Sequence, residues 1–214
     1  MTRIIERRRF LQLTGALAAS PFVARPVGAK SANTKLRTAH IGVGGMGAAD
    51  LKSIASHSSV EVAALCDVDA NFLARAKGQH PQAETFRDYR ELFASLGERI
   101  DAVVVSTPDH THAPAAMSAL DLSKPVYCQK PLTHEVYEAR RLREVATQKN
   151  VPTQMGVQIH SAAPYRRATQ MIQEGVIGKV SQVHAWSHKD WGYNGPAPTT
   201  ATAPPDSLAW DLWL

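Results

Sequence analysis

Gly42-Val43-Gly44-Gly45-Met46-Gly47 follows the apolar pair His40-Ile41 and precedes a helical pattern over 46–57. Gly-x-Gly-x-x-Gly between strand and helix has a physical reason for each glycine. The first permits a tight turn, the second lets backbone approach a pyrophosphate, and the third lets helix pack closely on strand. The anion then sits at a helix N-terminus, where free N–H groups and the helix dipole favour negative charge. Alone the pattern is weak, because glycine-rich turns are common. A second anchor supports it: Asp67 lies 20 residues past Gly47, at the end of the apolar run 60–66. An acid at that point is placed to accept the two ribose hydroxyls of NAD.

Outward from this motif, strands and helices alternate at short spacing, the pattern of βαβ units and a parallel sheet. Strands are expected at 36–41, 60–66, 84–86, 100–106 and 125–128, and helices at 46–57, 71–77, 88–95, 114–120 and 135–149. The expected fold is a doubly wound α/β Rossmann domain over 35–152. Residues 153–214 are expected to begin a second α/β domain, with a strand at 153–158, a helix at 164–174 and an alternating strand at 179–186. All four tryptophans, Trp186, Trp191, Trp210 and Trp213, fall in the last 29 residues. So many apolar rings near the end of a chain lead us to expect an N-terminal piece of a longer protein.

Residues 1–29 are set apart from the fold. Arg7-Arg8-Arg9-Phe10-Leu11 fits the twin-arginine pattern, a moderately apolar stretch follows, and Val27-Gly28-Ala29 offers small residues for cleavage. A basic amphipathic start or a membrane anchor are the other readings; the stretch is short of the ~20 apolar residues a spanning helix needs. The expectation is export through the twin-arginine machinery to the periplasm. The charge argument changes accordingly. The chain has 24 Lys and Arg against 19 Asp and Glu. Setting aside the leader's five arginines and one glutamate leaves 19 against 18. A near-neutral remainder carries no electrostatic case for nucleic acid. Cys66 and Cys128 fall at ends of strands about three apart, roughly 14 Å, too far for a disulfide.

Two further motifs carry chemistry. Ser106-Thr107-Pro108-Asp109-His110-Thr111-His112 follows the fourth strand, and ligands of open α/β sheets bind beyond the carboxyl ends of strands. The alternative is a turn with two surface histidines. Asp109 and His112 form no metal set, since no cysteine or carboxylate cluster completes it. Gln129-Lys130-Pro131 ends the fifth strand on the same edge as the glycine loop. A lysine partly desolvated beside a cofactor can shuttle protons; a solvated lysine before a helix is the plainer reading.

These motifs in this order resemble the glucose-fructose oxidoreductase / inositol dehydrogenase / MocA family, from about Leu36 onward. The resemblance implies an N-terminal Rossmann domain and a C-terminal domain with a large, mostly antiparallel sheet. It also implies NAD or NADP, a sugar or polyol substrate, and a homo-oligomer. Asp67 favours NAD, because a carboxylate repels a 2′-phosphate. The family's Glu-Lys-Pro is Gln129-Lys130-Pro131 here, so Lys130 is the expected catalytic residue and a negative charge beside it is missing. The expected cofactor residues are Gly42, Gly44, Gly45, Met46, Gly47, Asp67, Ser106, Thr107, Pro108, His110, His112, Gln129, Lys130 and Gln158. Tyr165, Arg166, His184 and His188 are candidates for substrate, each with a plainer reading as surface or structural residues; Trp191 and Tyr193 could stack on a sugar or pack in a core. An Asp and a His of the family's second domain have no counterpart before Leu214. Some relatives, exported ones included, are hydrolases that act through transient oxidation by retained NAD. A nucleotide-binding protein without turnover is a third possibility.

Overall fold

The structure, a computed structural model, describes residues 35–188, 195–197 and 199–214. The twin-arginine leader, Trp191 and Tyr193 lie outside the described residues. Six strands form one parallel sheet in the order β3-β2-β1-β4-β5-β6. They are β1 (Leu36–Ile41), β2 (Val60–Cys66), β3 (Glu84–Phe86), β4 (Ala102–Val105), β5 (Val126–Gln129) and β6 (Thr153–Gly156). The chain steps outward from β1 to β3, returns to β4 beside β1, and steps outward again. The order therefore reverses between β1 and β4, and that switch point opens a crevice at the carboxyl ends of the strands.

The interior strands read as continuous apolar runs because both faces are covered. Ala64, Leu65, Cys66, Val103, Val104 and Val105 are all buried. The crossovers are α1 (Gly45–Ala55), α2 (Ala70–Gln79), α3 (Tyr89–Leu96), α4 (His112–Asp121) and α5 (Val136–Lys149). Local chemistry starts and stops them. Asp69 caps α2 by accepting from Asn71 N–H, and Asp88 caps α3 by accepting from Arg90 N–H. At α5, Glu135 N–H donates to Glu138, and Asn150 ends the helix in the left-handed region at φ 52°.

Cys66 on β2 and Cys128 on β5 stand three strands apart, both buried and unbridged. Burial pushes the Cys66 thiol well up, Asp67 adding to it, and lifts Cys128 to about 12. Neither is a ready nucleophile.

Two expectations for 153–214 need correction. Thr153–Gly156, assigned to a second domain, pairs in parallel with β5 and is the sixth strand of this sheet. The alternating segment 179–186 forms no strand, and Val183 and Trp186 are 78% and 85% exposed. Alternation supplies two faces, but a strand also needs a neighbour for its N–H and C=O groups, and no described residue pairs with this segment. After β6 comes α6 (Ala163–Gln173), whose residues are all exposed. The segment 205–214 returns to the sheet and ends in the single turn α7 (Trp210–Trp213).

Candidate functional site

The glycine loop lies at the switch point. Gly42 N–H donates to Cys66 O at 2.8 Å, and Ser106 N–H to Ile41 O at 2.8 Å, so the loop is pinned between the ends of β2 and β4. Gly42 has φ +82°, and a Cβ there would stand 2.6 Å from Ser106 O. Only glycine satisfies both the conformation and the space. A Cβ on Gly47 would collide with the Gly42 carbonyl, so the third glycine does let α1 press on the turn. At Gly44 the crowding comes from the Phe72 ring, which lies over the loop. Gly45 has φ +50° and faces open space. The first turn of α1 has no acidic residue of its own and Gly44 offers no side-chain cap, so N–H groups of that turn stay open to a ligand.

Asp67 does something the spacing did not reveal. Its Oδ2 accepts from Val43 N–H at 2.8 Å and Gly44 N–H at 3.2 Å, and its Oδ1 from Asp69 N–H at 2.9 Å. The carboxylate thus shapes the glycine loop. Oδ2 is filled by its two donors, and Oδ1 keeps acceptor capacity for one more.

After β4, Ser106 Oγ donates to the buried Asp50 carboxylate at 2.8 Å. The Thr107 hydroxyl is buried with no partner among the described residues. His112 is 1% exposed. Its two ring nitrogens lie 2.7 Å from Pro131 O and 2.7 Å from Thr107 O. This corrects two readings. His112 is neither a surface histidine nor open to a ligand; it ties the β4 loop to the β5 loop. His110 is half-buried, its Nε2 donating to Trp213 O at 2.6 Å.

After β5, Gln129 is buried, donating from Nε2 to Asp50 Oδ2 at 2.7 Å and accepting from Lys130 N–H at 3.1 Å. Asp50 therefore supplies the negative charge that Gln129 lacks. The Lys130–Pro131 peptide is cis. Lys130 itself is exposed, so the expected desolvation is absent in this arrangement: the β5 end leaves its side chain in solvent. Gln158 Nε2 reaches the Tyr127 hydroxyl at 3.4 Å. Burial, with the Asp50 charge second, pushes the Tyr127 phenol up.

Gly42, Gly44, Gly45, Met46, Asp67, Ser106, Thr107 and Pro108 line one cleft of about 530 Å3, within the ~300–1,000 Å3 range of cofactor sites. Gly47 lies beneath the loop. His110, His112, Gln129, Lys130 and Gln158 are outside the lining. Tyr165, Arg166, His184 and His188 are not brought into it either: Tyr165 stacks on His160 at 5.1 Å, and the other three are exposed. Sequence reasoning missed Asp50, Phe72, Leu208, Leu212 and Trp213. Asp50 had a signal, an acid at helical spacing with Gly47 and Leu51 on one buried face. The last three had none, since they come from about 100 residues or more beyond the loops they face.

A loop whose glycines leave no room for a Cβ, the open first turn of α1 and an orphaned hydroxyl beside it fit a dinucleotide. Fold and cleft together define a dinucleotide-binding α/β protein of the doubly wound class. The chain belongs to the oxidoreductase family with an NAD-binding Rossmann fold, the glucose-fructose oxidoreductase / inositol dehydrogenase / MocA group, which it matches over residues 36–157. It is 30% identical to inositol 2-dehydrogenase of Salmonella typhimurium over 153 residues, 70% of this chain and 45% of that protein. It is 28% identical to a glycosyl hydrolase family 109 protein of Stenotrophomonas maltophilia over 196 residues, 87% of this chain and 43% of that one. Among solved structures it resembles scyllo-inositol dehydrogenase from Lactobacillus casei with bound NAD(H) and scyllo-inositol. There the TM-score is 0.61 at 26% identity, covering 68% of this chain and 43% of that one. The chain thus spans under half the length of these relatives.

Proposed function

We propose that the protein is an NAD-dependent oxidoreductase acting on a sugar, polyol or related carbohydrate. The observation that carries this reading is the glycine loop built around Asp67, open to an anion at α1 and to a hydroxyl donor at Asp67 Oδ1. NAD, when bound, supplies the hydride acceptor or donor. Asp67 accepts from the ribose hydroxyls, and its charge disfavours a 2′-phosphate. Gly45, Met46 and Gly47 present backbone N–H groups to the pyrophosphate. Ser106, Thr107 and Pro108 form the floor on the β4 side. Lys130, on the β5 end, takes or returns the proton of the reacting hydroxyl as its general base or acid. Gln129 fixes the Lys130 backbone from below, and Gln158 borders the site from the end of β6. Tyr165, Arg166, His184 and His188, which lie outside the cleft, are proposed to meet substrate.

Purified full-length protein should bind NADH at one per chain and reduce NAD+ with a polyol such as an inositol. Lys130→Ala should lower kcat by ~100-fold or more, the range of general acid–base catalysis, with NADH affinity changed little. An unchanged kcat would remove Lys130 from the chemistry.

The match to a glycosyl hydrolase family 109 protein, which runs past residue 157 to cover 87% of this chain, supports a second reading. There the same cleft keeps its NAD and the net reaction is glycoside cleavage. Release of nitrophenol from a nitrophenyl glycoside without accumulation of NADH distinguishes it. Nucleotide bound at full occupancy with no turnover of either kind would leave a non-catalytic binding protein. We also propose export by the twin-arginine route on the strength of Arg7-Arg8-Arg9-Phe10-Leu11, and homo-oligomer formation. Fractionation of cells carrying Arg7→Lys/Arg8→Lys against wild type tests export, and light scattering of the full protein tests assembly.

A further inference from the structure

The segment from Ser207 to Trp213 crosses the nucleotide cleft and is anchored at both ends of it. At the β2 side it is tied to the loop after Asp67 by backbone and side chain together. Ala70 N–H donates to Ser207 O at 2.9 Å, and Ala209 N–H to Val68 O at 2.9 Å. Asp69 and Leu208 form an antiparallel bridge. Arg87 Nη2 donates to both Val68 O (2.6 Å) and Ser207 O (2.8 Å), and Ser207 Oγ donates to Asp69 Oδ2 at 3.2 Å. At the β4 side the tie is aromatic and polar. His110 donates to Trp213 O, and the two rings meet edge to face at 4.8 Å. Trp210 stacks behind Trp213 at 5.2 Å. Between these anchors Leu208, Leu212 and Trp213 line the cleft opposite the glycine loop and Phe72.

The two anchors fall at the two ends of the site. In a doubly wound sheet the β2 side, with its ribose-binding acid, takes one nucleoside, and the β4 side across the switch point takes the other. A segment fastened at both spans the whole length of a dinucleotide. We propose that Ser207–Trp213 is a strap that forms the outer wall of the dinucleotide site and limits how fast the nucleotide leaves, with Trp213 as the contact surface and Arg87 as its far anchor. This rests on the dinucleotide reading above and adds to it. A nucleotide seated between the glycine loop and the strap leaves only when one anchor opens, so losing either anchor acts on dissociation rather than on chemistry. Trp213 presents a rigid apolar face held by two neighbouring rings, so little ordering entropy is lost when a ligand ring packs on it.

The test uses the full-length protein preloaded with NADH and chased with excess NAD+, following loss of nicotinamide fluorescence by stopped flow. Trp213→Ala and Arg87→Leu should each speed release by about tenfold, and the double variant should be little faster than either single, because both open one strap. Trp213→Phe should stay within about threefold of wild type, since a ring is what the wall requires. Counting only variants that bind NADH at one per chain separates a lost strap from a lost fold. If either Trp213→Ala or Arg87→Leu releases NADH within about twofold of the wild-type rate, the strap is not a wall of the site. A wild-type protein that binds no NADH would instead overturn the dinucleotide reading itself.

Discussion

At the scale of single residues, the exchange of charge between positions 129 and 50 is the most specific feature of this chain. Asp50 is buried at 7% exposure on α1 and is satisfied by two neutral donors, Ser106 Oγ and Gln129 Nε2. A carboxylate at 129 would face a carboxylate at 50 in a site with little water. Like charges in such a pair raise one pKa, so a proton is held by the folded protein that the unfolded chain has released. Stability is then present at low pH and lost as pH rises. Gln129→Glu should therefore melt near the wild-type temperature at about pH 5 and fall well below it at pH 8. The cost is about 1.4 kcal/mol for each unit of induced shift. Asp50→Asn added to Gln129→Glu should restore the melting temperature at pH 8. Equal melting curves for Gln129→Glu and wild type at pH 8 would mean that the two positions do not face each other. The exposed Lys130 shows the opposite limit: its motif was plain in the sequence, but exposure depends on what covers the β5 end, and one strand cannot supply that.

At the scale of elements, the β4 and β5 loops behave as one unit because His112 joins them. The α4 helix starts at this residue, and its imidazole reaches back to the Thr107 carbonyl and across to the Pro131 carbonyl. His112→Ala removes the imidazole that spans the two carbonyls, with the hydrogen bond its N–H donates, and leaves a buried hole beside them. It should lower stability by about 2–4 kcal/mol, combining a lost hydrogen bond with a cavity. It should also weaken NADH binding, since Thr107 and Pro131 would lose their common tether. Chemical denaturation with an NADH titration of the refolded variant checks both effects. The interior strands β2 and β4 were legible in sequence because burial on both faces favours apolar runs. The segment 179–186 was not, because its alternation names a strand without naming the neighbour it needs.

At the scale of the whole molecule, the buried sheet makes stability sensitive to acid. His40 on β1 is 1% exposed, with Thr38 Oγ1 3.1 Å from Nε2 and no described partner for Nδ1. Burial, with the nearby His80 second, lowers its pKa to about 3. The folded protein then excludes a proton that the unfolded chain binds below about 6.5. The stability this neutral ring permits is complete above about pH 6.5 and is lost progressively as pH falls from there towards 3. The slope is about 1.4 kcal/mol per pH unit at most. His40→Gln should flatten the decline of melting temperature between pH 6.5 and 4. A decline as steep as wild type would assign acid sensitivity to other groups, His80 among them, whose pKa burial also lowers.

The amino-acid sequence by itself determined the first five strands of the sheet, the glycine turn and the family, because all three are written in local signals. Apolar runs mark buried strands, Gly42 and Gly47 stand where a Cβ has no room, and the motifs keep their order along the chain. Tertiary structure alone decided that Asp67 holds the glycine loop, that Asp50 carries the charge absent from Gln129, and that Trp213 lines the cleft beside His110. These pairings join residues 23, 79 and 103 positions apart. Spacing within one strand or helix carries no information about contacts made across such separations, which exist only once the sheet brings its strand ends together.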